Sequence, residues 1–276
     1  MKLREGSKKT ETAVFNSILA LVKRLETADE GTILTTSANI QLLREVKSRV
    51  NRIVLNKTYK SRVNTFLNQF NQIKSSNDKY FKGVSGAFNP NRNVYKEIVR
   101  ESIVATSNSL TEAGLEAAVV EPIKNNLQTA ITSRQSFADL TDNLRFIIKG
   151  NEERLGSLER HITQIATDSM NQFTANYTTA VSGDLGLEFW FYSGSVVEDS
   201  RSYCVERAGK YFHTKEVEQS ANEQWAGKIA GTNEGNIFIN RGGWNCAHLY
   251  LPTSIEGVPR DVINRAISKG FIEPIE

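Results

Sequence analysis

The sequence predicts a mainly α-helical protein, with a long-helix N-terminal region followed by a small α+β module. Three observations predict it. Apolar residues recur at steps of three and four through most of the first 180 residues. The texture changes after Ser182-Gly183, where aromatic and β-branched residues crowd into "LGLEFWFYSGSVV". Both cysteines, all three tryptophans and two of the three histidines then fall beyond that change.

Taken in order, "TETAVFNSILALVKRLE" places Val14, Phe15, Ile18, Leu21, Val22 and Leu25 on one helical stripe. Gly31 and Thr32 interrupt it. A second helix starts near Ser37 and carries Leu43, Val46, Val50, Ile53 and Val54. The spacing of Tyr59, Val63, Phe66, Leu67, Phe70 and Ile73 predicts a third, continuing toward Tyr80 and Phe81. "KGVSGAFNPNRN", residues 82–93, breaks the region with two glycines and Asn89-Pro90. Helical period resumes at Val94, Ile98, Ile103 and Val104, and Pro122 suits the start of a further helix.

Two more helices follow, the first capped by Ser136 or Asp139, with Gly150-Asn151 at the joint. The second buries Ile162, Ile165, Ala166, Ser169, Met170, Phe173 and Tyr177. Beyond residue 183 the reading is a strand and turn through "LGLEFWFYSGSVVEDSRSYC". "HTKEVEQSANEQWAGK" then reads as helical, capped at Thr214 with Glu216 and Glu218 in its first turn. Extended pieces through "IFINRGGWNCAHLYLPTS" and a closing amphipathic helix after Pro259 complete the chain. The domain reading is a helical region over 1–182 and an α+β module over 183–276.

Composition excludes some classes. No apolar run approaches the roughly 20 residues needed to span a bilayer. The charged start "MKLREGSKKTETA" lacks the apolar stretch of a secretory signal, so a cytosolic origin is expected. Two cysteines in 276 residues make no disulfide framework. Net charge is +3, but residues 1–150 hold 23 Lys/Arg against 14 Asp/Glu (net +9), and residues 151–276 hold 11 against 17 (net −6). That split suggests different partners for the two regions, or simply two solvated faces.

The two windows holding the scarce residues are "EDSRSYCVERAGKYFHTKEVEQ" and "IFINRGGWNCAHLYLP". Together they resemble the C-terminal signature of phage head morphogenesis proteins, the minor head proteins related to the Mu F protein. That family shows a D-x-R-x-x-C stretch, a glycine soon after, and a closing Gly-Gly-aromatic-Asn-Cys-Arg-His segment ending in Pro. Asp199, Arg201, Cys204, Gly209, His213, Trp225, Gly242, Gly243, Trp244, Asn245, Cys246, His248 and Pro252 fill those places. The likeness covers roughly residues 155–255. Ala247 stands where the family often has Arg, so any contact made through that arginine has no counterpart here.

The resemblance implies a virion structural protein, not an enzyme. Such a protein is present in few copies at the portal vertex or inside the head, and in the host cytoplasm during assembly. Its partners would be the portal or major capsid protein and the packaged double-stranded DNA, with no membrane and no small-molecule substrate. It would help heads assemble, or help DNA enter or leave. The alternatives are a nucleic-acid-binding protein with a zinc-stabilised C-terminal module, and a cargo protein ejected with the genome.

Side-chain chemistry leaves several options for the windows. Cys204, His213, Cys246 and His248 form the Cys₂His₂ set a structural zinc takes, although their spacing is not that of a zinc finger. Otherwise no cofactor is expected. The cysteines serve equally as small buried hydrophobes, or pair as a disulfide. Asp199, Cys204 and His213 could be drawn as a thiol nucleophile set, but nothing in the sequence supplies an oxyanion hole. Gly242-Gly243 reads as a tight turn with positive φ, and Trp190, Trp225 and Trp244 as core anchors. The segment "LLREVKSRVNRIVLNKTYKSR" carries Arg44, Lys47, Arg49, Arg52, Lys57, Lys60 and Arg62 against Glu45 alone. DNA phosphates or an acidic partner would favour it, and so would plain solvation.

Overall fold

The structure is a computed structural model that describes residues 2–244 and 246–274. It is mainly α-helical, with a small three-stranded sheet near the C-terminus. The chain divides into two compact units. One comprises residues 1–69 and 103–166, the other residues 70–102 and 167–276. The second unit therefore joins helical residues 70–102 and 167–182 to the C-terminal segment.

A short 3₁₀ turn, Lys2–Arg4, leads into α1 (Ser7–Val22), which carries the first apolar stripe. Helix α2 (Ser37–Val54) begins where expected, because the Thr36 side chain accepts from the Asn39 N–H. The long third stripe is two helices, α3 (Lys57–Leu67) and α4 (Gln69–Val84), parted at Asn68. Helix α5 (Asn93–Thr111) follows the 85–92 turn. One helical turn, α6 (Ala113–Leu115), and a wide π turn, Glu116–Val120, lead into α7 (Glu121–Thr132). Pro122 sits in its first turn, directly after the wide π turn, with no N–H to donate back into it.

Helix α8 (Phe137–Lys149) is capped by Ser136, which accepts from the Asp139 N–H. Helix α9 (Ser157–Leu185) runs 29 residues. Among the described residues no helix is long and apolar enough to cross a membrane.

In the first unit, α1 packs on α2 and α8, and α7 packs on α8 and α2. Val14, Ile18, Leu21, Val22, Val46, Val50, Ile123, Leu127, Leu140 and Leu144 fill the space between them. The α1–α2 connection is clamped by a buried Asn39. Its amide donates to the Glu26 and Leu34 carbonyls at 3.0 and 2.7 Å, and its oxygen accepts from the Glu26 N–H at 2.8 Å. Three of its hydrogen-bonding positions are thereby met, which makes burying a polar side chain tolerable.

In the second unit, a run of ring contacts links Phe70, Phe173, Tyr177, Tyr95, Phe88 and Phe81 from α4, α5, α9 and the 85–92 turn. The sheet has the order β2–β1–β3, all antiparallel: β1 is Phe189–Ser193, β2 Tyr211–His213 and β3 Leu249–Thr253. Alternation along β1 sends Trp190 and Tyr192 into one core and Phe189 into another. Helix α10 (Ser202–Arg207) and helix α11 (Thr214–Ser220) contribute to the first core. Helix α12 (Ile237–Asn240) adds Ile237 and Phe238, and α13 (Arg260–Ser268) covers Phe189 on the other side.

Two local elements differ from the sequence expectation. Ile237, Phe238 and Ile239 form a helical turn rather than an extended run, because Ile237 and Phe238 both point into the core formed by Trp190 and Tyr250. The N-cap of α11 is His213, not Thr214. The His213 Nδ1 accepts from the Lys215 N–H, while Glu216 returns to the His213 N–H at 3.0 Å.

Candidate metal centre

Four segments of the second unit bring the scarce residues together. Helix α10 presents Cys204 on its buried side. The turn after α12 supplies Gly242 and Cys246, the residue pair before β3 ends in His248, and β1 supplies Tyr192 from the centre of the sheet. Cys204 Sγ and Cys246 Sγ lie 3.7 Å apart as free thiols. Cys246 Sγ is 3.8 Å from His248 Nδ1. One ligand atom from each of the three residues lies within 4.8 Å of the other two, and all three side chains are buried.

Tyr192 Oη stands 3.4 Å from Cys204 Sγ and 3.7 Å from Cys246 Sγ, and its ring stacks parallel to the His248 imidazole at 5.2 Å. Arg241, itself buried, donates to the His248 carbonyl at 3.2 Å.

The electrostatics follow from this packing. The hydrogen bond from Cys204 holds the Cys246 thiol well below its ordinary value, helped by the backbone at His248, the Tyr192 hydroxyl and the Arg241 charge. The same hydrogen bond, with burial, pushes Cys204 up. Burial drives Tyr192 far above the ordinary phenol value and lowers Arg241. Among the described residues, His248 Nε2 and Arg241 Nε have no hydrogen-bond partner.

The glycine pair has two separate jobs. At Gly243, φ is +102° and a Cβ would collide with the Gly227 carbonyl, so this residue makes the turn. Gly242 has ordinary backbone angles and is needed for approach. A Cβ there would stand well inside van der Waals contact of Cys204 Sγ, 2.9 Å from Cys246 Sγ and 3.3 Å from Tyr192 Oη.

Around the pair the signature residues knit the loops. Trp225 stacks on Tyr203 at 4.2 Å and donates to the Gly242 carbonyl at 2.9 Å. Arg201 donates to the Trp244 carbonyl at 2.5 Å, and the Trp244 N–H returns to the Gly227 carbonyl at 3.1 Å. The Trp244 side chain is 51% exposed, so it is no core anchor; its backbone does the fastening, while Trp190 and Trp225 pack as expected. Gly209 turns the chain at φ +75° after α10, and Pro252 lies in β3 opposite Trp190. Asn245 lies outside the described residues.

His213 does not join the other three. It is buried on β2 against Phe189 and Phe271, where it caps α11. Neither it nor the exposed Asp199 hydrogen-bonds Cys204, so the thiol nucleophile set is not assembled. The sequence offers no sign of Arg241 at the site, since a charged residue beside two glycines reads as a solvated turn. Tyr192 was findable, because strand alternation puts it on the Trp190 face.

In the first unit, the basic segment divides into committed and free cations. Lys47 pairs with Glu116 at 2.6 Å, Arg49 with Glu45 at 2.8 Å, and Arg62 donates to the Glu5 carbonyl. Arg44, Arg52, Lys57 and Lys60 are exposed and have no ion-pair partner among the described residues. Lys57 and Lys60 line a shallow groove of about 530 Å³ with Ser61, Asn64 and Asn68. No family model, no curated protein and no solved structure matches this chain.

Proposed function

We propose that this chain is a phage virion structural protein, a minor head component of the head morphogenesis type that binds the portal or the inner capsid surface. Its work is to position partners during head assembly and during DNA packaging or release. One observation carries the reading: Cys204, Gly242, Cys246 and His248 lie in a buried core, and Arg201, Trp225 and the Trp244 backbone fasten the loops around it rather than line an open cleft. A set of residues spent on internal fastening suits a folding module, and the first unit's helices supply the partner surfaces.

Co-expression with the portal and major capsid proteins of the same phage tests this. Assembled particles should retain the chain through density-gradient purification, and pull-down should recover portal or capsid protein. Particles that assemble normally and never contain it would defeat the reading. Release of DNA from purified particles separates a fixed component, which stays with the emptied head, from ejected cargo, which leaves it.

Direct DNA contact is a second reading, favoured by the four unpaired cations on α2 and α3.

A further inference from the structure

We infer that Cys204, Cys246 and His248 hold one zinc ion, with the hydroxyl of Tyr192 facing the fourth coordination position. The inference does not depend on the virion reading.

Distances decide it first. Zinc bonds of about 2.3 Å to sulfur and about 2.0–2.1 Å to nitrogen, at tetrahedral angles, put two sulfurs roughly 3.8 Å apart and sulfur and nitrogen roughly 3.6 Å apart. The observed edges are 3.7 Å between the sulfurs and 3.8 Å from Cys246 Sγ to His248 Nδ1. The same geometry puts a fourth oxygen donor about 3.6 Å from each sulfur. Tyr192 Oη stands 3.4 and 3.7 Å from them.

Space decides it next. The volume a Gly242 Cβ would take is bounded by Cys204 Sγ, Cys246 Sγ and Tyr192 Oη, and glycine leaves it clear. Any larger residue would fill the place between the donors. His248 cannot swing away, because its ring is buried and stacked on Tyr192.

Donor type then selects the metal. Two thiolates and an imidazole suit a soft or borderline divalent ion and are poor ligands for calcium or magnesium. An iron–sulfur cluster would ask for four cysteine or histidine ligands, one more than Cys204, Cys246 and His248 supply. Metal binding requires both cysteines as thiolates, and two thiolates balance the ion's charge in a buried site.

The test uses the full chain, purified under reducing conditions, stripped with chelator and titrated with Co²⁺. One equivalent should bind with the intense visible absorption of a tetrahedral site and a thiolate-to-cobalt charge-transfer band. Zn²⁺ should abolish both and raise the melting temperature. His248→Asn should lower affinity at least tenfold, the usual loss on removing a single ligand or its support, while His213→Gln should leave the cobalt spectrum unchanged. A weak octahedral spectrum, equal loss from both histidine variants, or a Cys204–Cys246 disulfide as the resting state would overturn the proposal. The wild-type titration keeps it falsifiable should His248→Asn fail to fold.

Discussion

Glu11 shows at the residue scale how burial and charge compete. It lies 2% exposed on α1, accepts the Glu159 N–H at 2.9 Å, and faces Glu159, which pairs with Arg4 at 2.5 Å. Burial raises its carboxyl to about 7, and the backbone hydrogen bonds only partly oppose that. Because the folded carboxyl holds its proton more tightly than the unfolded one, stability is greatest below about pH 4.5 for this group. It falls as pH rises toward 7 and stays at the lower level above. Glu11→Gln keeps the acceptor and removes the charge, so it should stabilise the protein by about 1–2 kcal/mol at pH 8 and by nearly nothing at pH 4. Urea unfolding at the two pH values checks this, and equal effects at both would show that the charge is not what matters. Nothing in "KKTETAVFN" marks Glu11 as buried. Its place on the stripe side of α1 is set by the joint before α9, 148 residues away along the chain.

Elements in the C-terminal module are joined by single side chains serving two roles, and Glu216 is the clearest. It closes the N-terminus of α11 through the His213 N–H and binds Arg265 at 2.9 Å and Lys269 at 2.8 Å, at the end of α13. Burial works against its ionisation, yet the hydrogen bonds from Arg265, Lys269 and the His213 backbone outweigh it and hold the carboxyl at about 2. The sign here is opposite to Glu11. The contribution is complete above about pH 4.5 and is lost as pH falls through 2. Glu216→Ala should cost about 1–2 kcal/mol at pH 7, since it removes a cap and the carboxylate that two half-exposed cations share. A thermal melt that moves as much at pH 2 as at pH 7 would speak against an ionic origin. The helix itself was legible from "HTKEVEQ", including Glu216 in its first turn. The cap was not, because a histidine reads as a cap only when its ring is held, and Phe189 and Phe271 hold this one.

At the scale of the whole molecule, charge is distributed differently between the compact units than between the sequence halves. The first unit carries 19 Lys/Arg against 14 Asp/Glu, net +5, and the second 15 against 17, net −2. The contrast shrinks because residues 70–102, with six Lys/Arg against three Asp/Glu, belong with the acidic C-terminal segment. What remains distinctive is local, namely the four free cations Arg44, Arg52, Lys57 and Lys60. Changing all four to Glu should weaken binding to duplex DNA and flatten its dependence on salt by up to about 3–4 in the log–log slope, with the melting temperature preserved. Lys47→Glu and Arg49→Glu should lower the melting temperature instead, because each breaks an internal pair. Fluorescence anisotropy over a salt series, beside thermal melts, separates the two outcomes. No change in affinity for the quadruple variant would remove DNA from this surface.

The sequence by itself determined the helical class, most helix positions, the break at 82–93 and the change of texture after residue 183. These are local matters, written in apolar period, caps and turn residues that act within a few positions of one another. It also marked Cys204, His213, Cys246 and His248 as belonging together by their scarcity. Only the tertiary structure decided that His213 belongs to another core, that Tyr192 and Arg241 join the cysteines, and that Gly242 is glycine to clear the space beside two sulfurs. Those outcomes depend on which residues meet across a sequence separation of 42 from Cys204 to Cys246. No periodic pattern carries that information, since it is set by how the sheet, the three short helices and the turn pack into one core.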